Sequence, residues 1–129
     1  MWQRGAAQRR KLRFLVMKQY TTTEQTAKLI ELGFEKPCSI ASVEPIYGMG
    51  GISIAKAYSI GELIEMLPTK IEAEVTDEYD SETCYLNIEE GWAISYFNGW
   101  CTVERYTRAT ELIDALYAMI LQLKEGGVI

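Results

Sequence analysis

Histidine is absent from this sequence of 129 residues. That absence excludes Ser-His-Asp and Cys-His nucleophilic catalysis and every zinc site that needs an imidazole ligand. Carboxylate and lysine chemistry stay open, but they require paired groups in a pocket, which residue types alone do not reveal. Cysteine is sparse: Cys38, Cys84 and Cys101 show no C-x-x-C spacing and make an odd set. Unclustered thiols of this kind, with no secretory signal in view, predict buried free cysteines in a reducing cytoplasm. Long hydrophobic runs are missing too, against the roughly 20 apolar residues that a bilayer-spanning helix needs. No membrane association is therefore expected. With 48% hydrophobic and 24% charged residues and only three prolines, the remaining composition is that of one globular domain.

Basic charge is scarce everywhere except at the start. Residues 1–18 carry Arg4, Arg9, Arg10, Lys11, Arg13 and Lys18 with no acid, so the other seven bases face all 18 acids and residues 19–129 hold a net charge of −11. Such a field repels phosphate backbones, so nucleic acid is not an expected partner of residues 19–129. Arg9, Arg10, Lys11 and Arg13 are the candidate nucleic-acid contacts if the basic stretch acts as an arm. The favoured expectation is plainer. Residues 1–16 read as a disordered basic extension ahead of a natural start at Met17, and residues 17–127 as a single domain. The apolar segment Phe14-Leu15-Val16 is too short for a secretory signal.

Periodicity and capping predict the first elements. A short helix is expected over 22–32, where Thr21 with Glu24, or Thr22 with Gln25, fits a capping box and Gly33 suits a left-handed C-terminal cap. Its expected buried side is Ala27, Ile30 and Phe34, widened by Leu29 and Leu32. Residues 35–57, broken by Pro37, Pro45 and Gly48-Met49-Gly50-Gly51, read as a mobile loop with a short strand near Ile52–Tyr58. The loop does not fit a phosphate cradle, because Lys56 lies five residues beyond Gly51 and the intervening residues read as strand. A second helix is predicted over 60–66, started by Ser59 and Glu62 and stopped by Pro68. Ile71, Ala73 and Val75 alternate with polar residues as an edge strand would. The acidic run from Glu72 to Glu82 lacks calcium-loop spacing and reads as a solvated turn.

From Thr83 onward the alternation predicts a three-stranded antiparallel meander over about 83–106. Asn98-Gly99 suits a two-residue type I′ turn, which pairs Tyr96 with Cys101 and Ile94 with Val103. A three-residue Glu89-Glu90-Gly91 loop, with Gly91 left-handed, then pairs Cys84 with Tyr96 and Leu86 with Ile94, and it gathers the apolar residues on one face. Cys84 and Cys101 would flank Tyr96 from the outer strands at roughly 9–10 Å, too far for a disulfide. The opposite face receives Tyr85, Phe97 and Trp100, the candidate protein-binding residues. A final amphipathic helix over 109–124, with the stripe Leu112, Leu116, Met119, Ile120 and Leu123, is expected to cross the apolar face.

The stretch Tyr58-Ser-Ile-Gly-Glu-Leu-Ile-Glu-Met-Leu-Pro68, followed by the meander and by Ala109-Thr-Glu-Leu-Ile-Asp-Ala-Leu-Tyr-Ala-Met119, resembles a group of small uncharacterised proteins of phages, prophages and mobile elements of gut bacteria. The resemblance covers roughly residues 17–125 and rests on caps, a helix stop and a core stripe. It implies a cytoplasmic, phage-associated origin and no particular activity. The expected fold is thus α+β, with two short N-terminal helices before the meander and its packing helix. The expected function is that of a non-catalytic accessory factor that binds a protein, without cofactor or metal. A nucleic-acid-associated protein using the basic arm is the alternative.

Overall fold

The computed structural model describes residues 17–46, 48, 50–73, 82–97 and 103–129. Its elements run α1 (Thr23–Glu31), β1 (Ile40–Ile46), β2 (Gly51–Lys56), α2 (Ile60–Met66), β3 (Lys70–Ala73), β4 (Glu82–Glu89), β5 (Ala93–Phe97), β6 (Val103–Arg108) and α3 (Leu112–Glu125). The fold is α+β, with three helices and two antiparallel sheets among the described residues. One sheet has four strands in the order β3-β4-β5-β6, and the other is the β1–β2 hairpin.

The helix signals act as their chemistry requires. Thr22 caps α1 by accepting from Gln25 N, while Gln25 Oε1 accepts from Thr22 N, so the second of the two possible capping boxes forms. Gly33 closes the helix at φ 97°, and Phe34 N donates back to Leu29 O at 3.1 Å. The expected buried side of α1 needs correction. Leu29 and Thr26 are buried, whereas Ala27 is exposed and Ile30 is 36% exposed. The rotation follows from polar partners that an apolar stripe does not register. The Thr26 hydroxyl lies 2.7 Å from that of Thr21, and Gln25 Nε2 reaches Asp114 on α3 at 2.8 Å.

The four-stranded sheet also departs from the expected meander. Ile71 on β3 opposes Cys84, so the short edge strand joins the meander as a fourth member. The β4–β5 connection does contain three residues, with Gly91 at φ 84°, but it sits one residue later because Glu89 pairs with Ala93. Leu86 therefore faces Tyr96, and Cys84 does not. Trp92 falls within the turn, at φ 54°. The β5–β6 register is displaced further. Ile94 faces Thr107, Tyr96 faces Arg105 and Phe97 faces Val103, where Val103 and Cys101 were expected opposite Ile94 and Tyr96. Asn98-Gly99, Trp100 and Cys101 lie outside the described residues, as does most of the acidic run, residues 74–81.

Two polar residues of β6 meet α3 in that register. Thr107 Oγ1 donates to Ala115 O at 3.0 Å, a bond that ties β6 to α3. The Arg105 guanidinium lies against the end of α3, so close that a Cβ at Gly126 would stand 2.9 Å from its Nη2. A cation at a helix C-terminus meets the negative end of the macrodipole. The β4–β5 displacement, and the β5–β6 displacement from Ile94 to Tyr96, are by an even number of residues, so those residues keep their expected faces although their opposite neighbours change. The irregularity between Tyr96 and Phe97 breaks this at Val103, which pairs with Phe97 of the other face.

The core lies between this sheet and the helices. Leu116, Met119, Ile120 and Leu123 of α3 are fully buried with Ile113, against Ile94, Tyr96 and Cys84 of the sheet and Leu63 of α2. α3 begins at Leu112, three residues later than expected, because the chain stays extended in β6 as far as Arg108. Its N-cap Glu111 makes no side-chain capping bond; its carboxylate instead accepts from Lys18 N at 3.1 Å. The Lys18 ammonium contacts Asp114 at 3.0 Å, which pins the first described residues to the start of α3. Burial opposes ionisation of Asp114, but Gln25 and Lys18 outweigh it and hold its carboxyl below the usual range.

The hairpin is the largest correction. Within the residues expected as a mobile loop, the short strand anticipated near Ile52–Tyr58 is present as β2, and β1 pairs with it, with Val43 opposite Ile54, Glu44 opposite Ser53 and Pro45 opposite Ile52. A register shift between Ile40 and Ser42 interrupts the strict alternation that would have marked β1 as a strand.

Candidate protein-interaction surfaces

Among the described residues, two surfaces stand open. The first is the sheet face turned away from α3. Across it run the rows Lys70–Tyr85–Phe97, Asn87–Ser95–Tyr106 and Glu89–Ala93–Arg108. Tyr85 is 58% exposed and Tyr106 is 50% exposed, so the face is open to solvent at both rings. Phe97 is half-buried as the cross-strand neighbour of Tyr85. Of the three aromatic residues expected here, Tyr85 and Phe97 are brought together, and Trp100 lies outside the described residues. Tyr106 was missed, although simple alternation along 103–108 places it on the same face. Arg9, Arg10, Lys11 and Arg13 also lie outside the described residues.

The second surface is the hairpin. Paired residues of an antiparallel ladder share a face, so Ile40, Val43, Ile52 and Ile54 all lie on one side, and Glu44, Ser53 and Ala55 on the other. The four apolar side chains are 50%, 54%, 62% and 48% exposed, respectively. Every residue of β2 is exposed. An isolated two-stranded hairpin is marginal in water, and one with an uncovered apolar face still more so.

What holds the hairpin is its root. Glu62 of α2 accepts from Cys38 N at 3.0 Å, from the Ser39 hydroxyl and from Ser59 N at 3.1 Å, while Glu62 N donates to Ser59 Oγ. One carboxylate therefore caps its own helix and grips the chain on both sides of β1 and β2. Burial works against its charge, but the bonds from Ser39, Cys38 and Ser59 prevail and keep its pKa below the ordinary 4.5. On the other side of the root, Thr21 Oγ1 accepts from Tyr58 N at 3.0 Å, and Thr21 N donates to Tyr58 O at 3.0 Å.

Beside this root lies a cleft of about 460 Å³ lined by residues that include Phe34, Cys38, Tyr58, Glu62 and Met66. The polar groups of Tyr58 and Glu62 in it are already committed. The Tyr58 hydroxyl donates to Glu35 O, and burial together with the Glu62 charge raises its pKa, so it stays protonated. Glu62 is occupied by the donors named above, and a carboxylate held this way is a poor base. The cleft is a seam that positions the hairpin. Among the described residues, no group of three or more Cys, Asp or Glu side chains is arranged to hold a metal ion. No described helix is long and apolar enough to cross a membrane.

No family model, curated protein or solved structure matches this chain. The functional reading therefore rests on these surfaces.

Proposed function

We propose that this protein is a non-catalytic binding module that recognises another protein through the apolar face of the β1–β2 hairpin. The observation that carries this reading is the exposure of Ile40, Val43, Ile52 and Ile54 side by side on one face. Removing four half-exposed aliphatic side chains from water is worth about 4 kcal/mol, which suffices to anchor an interface once its polar rim is matched. The setting follows the resemblance: a cytoplasmic accessory factor of phage or mobile-element origin.

Affinity capture from the producing cells tests the reading, using wild type, a Val43→Ser/Ile52→Ser/Ile54→Ser variant and a Tyr85→Ser/Tyr106→Ser variant. The hairpin variant should lose partners that the other two proteins keep. The same partners on all three proteins would overturn the reading. Loss confined to the tyrosine variant would transfer the function to the open sheet face, which the exposure of Tyr85 and Tyr106 makes the second choice.

A further inference from the structure

A two-stranded sheet has two edges, and the edges of this hairpin are not alike. Ala57 N donates to Ser39 O at 3.1 Å, which makes those residues a hydrogen-bonded pair at the root. Bonded and non-bonded pairs alternate along an antiparallel ladder, so the next pair, Ile40 with Lys56, is non-bonded. Beyond the register shift the alternation resumes. Pro45 has no N–H and takes a non-bonded position opposite Ile52, which makes Val43 with Ile54 non-bonded as well. The peptide groups of a non-bonded pair point away from the partner strand. Ile52, Ile54 and Lys56 therefore present N–H and C=O groups along the outer edge of β2, as Val43 and Pro45 do along the outer edge of β1.

The β1 edge carries two of the devices by which proteins blunt an exposed edge: a proline without a donor and an irregularity beside Ala41. The β2 edge carries neither. Its outward peptide groups belong to Ile52 and Ile54, whose side chains lie on the apolar face. A strand added there would satisfy those groups and extend the apolar face at the same time.

We propose that β2 accepts a third strand from a partner protein, an extended segment with aliphatic residues at alternate positions and basic residues between them. The aliphatic residues would lie alongside Ile52 and Ile54, and the basic residues, on the other face with Ser53, are favoured by Glu44 on that face and by the chain's net charge of −5. A second copy of the chain fits less well. Two chains of net charge −5 repel each other. Hairpins stacked face to face would also share only four large side chains each, against about 20–30 residues a side in a stable interface. This inference rests on the hairpin being the binding surface, and its test separates the two claims.

The probe is an octapeptide of alternating valine and lysine, titrated in physiological salt into the full-length isotope-labelled chain while amide exchange is followed. The amides of Ile52, Ile54 and Lys56 should slow by about tenfold or more, and that of Val43 should not change. Ile54→Pro breaks no β1–β2 bond but removes an outward donor, and it should weaken binding by about tenfold, whereas Ile54→Thr should stay within about threefold of wild type. Equal protection of Val43, no protection at saturation, no binding at millimolar peptide, or equal binding by the proline and threonine variants would each overturn the proposal. Protection that grows with protein concentration in the absence of peptide would assign the edge to a second copy and overturn it too. If Ile54→Pro keeps the natural partners that the triple serine variant loses, strand addition falls while the binding surface stands; if both keep them, both claims fall.

Discussion

Replacing Glu62 should loosen the hairpin without dissolving the core, and the size of the effect follows from what its carboxylate holds. The side chain accepts from Ser59 N as one half of a capping box, an arrangement worth about 1 kcal/mol. It also accepts from Cys38 N and from the Ser39 hydroxyl, and in a partly solvated site each such bond contributes about 0.5–1 kcal/mol net. Glu62→Ala should therefore cost about 2–3 kcal/mol. Glu62→Gln retains one acceptor oxygen but turns an NH2 toward a donor, and should cost about half as much. The sign of the pH effect is fixed by the lowered pKa. Stability from this carboxylate is fully present above its ordinary 4.5 and is lost as pH falls through the lower folded value. Asp114 adds to the same acid limb, since its pKa is also lowered, so the alanine variant should flatten that limb without abolishing it. Urea denaturation from pH 7 down to pH 3 reads the stability, and amide exchange at residues 38–40 and 56–59 reads the root. A Glu62→Ala protein within 0.5 kcal/mol of wild type at pH 7, or with an unchanged acid limb, would refute the clamp.

Other substitutions test separate parts of the account. Leu116→Ala, at a fully buried position of α3, should cost about 3 kcal/mol in urea denaturation, and a loss below 1 kcal/mol would mean that the core is placed wrongly. Gly91→Ala forces a side chain into a backbone at φ 84° and should cost about 1–2 kcal/mol, which calorimetry would register as a lowered Tm. Tyr96→Phe removes the hydroxyl that donates to Pro68 O at 2.6 Å and should cost about 1 kcal/mol. Burial raises the wild-type Tyr96 pKa to about 12, so an ultraviolet titration of wild type minus variant should show one phenol ionising there.

Local chemistry made the helices legible. The boxes at Thr22–Gln25 and Ser59–Glu62 and the stop at Pro68 are complete within a few residues, and the Leu112–Leu123 stripe repeats at the helical period. The faces of the meander were legible from Cys84 to Tyr96 because alternation survives an even shift in register, and not at Val103, where the ladder is irregular. The registers themselves were not, because alternation is the same for every even shift and the contacts of β6 with α3, Arg105 at its end and Thr107 on Ala115, are not visible in a strand pattern. The hairpin was hidden for a different reason. Pro45 and the irregularity at Ala41 erase the period of β1, so the strand anticipated near Ile52–Tyr58 had no visible partner. The aromatic face was only partly legible. Tyr85 and Phe97 are adjacent as expected, yet the hairpin gathers four exposed aliphatic side chains on one face.

The central claim is that the hairpin presents Val43, Ile52 and Ile54 to solvent while the core isoleucines are closed off. Methyl relaxation in dilute protein with a soluble gadolinium chelate measures this directly. The account predicts strong broadening of the methyls of Val43, Ile52 and Ile54, and almost none for Ile94, Ile113 and Ile120. Hairpin methyls as protected as those of Ile113 at the lowest usable concentration would contradict it.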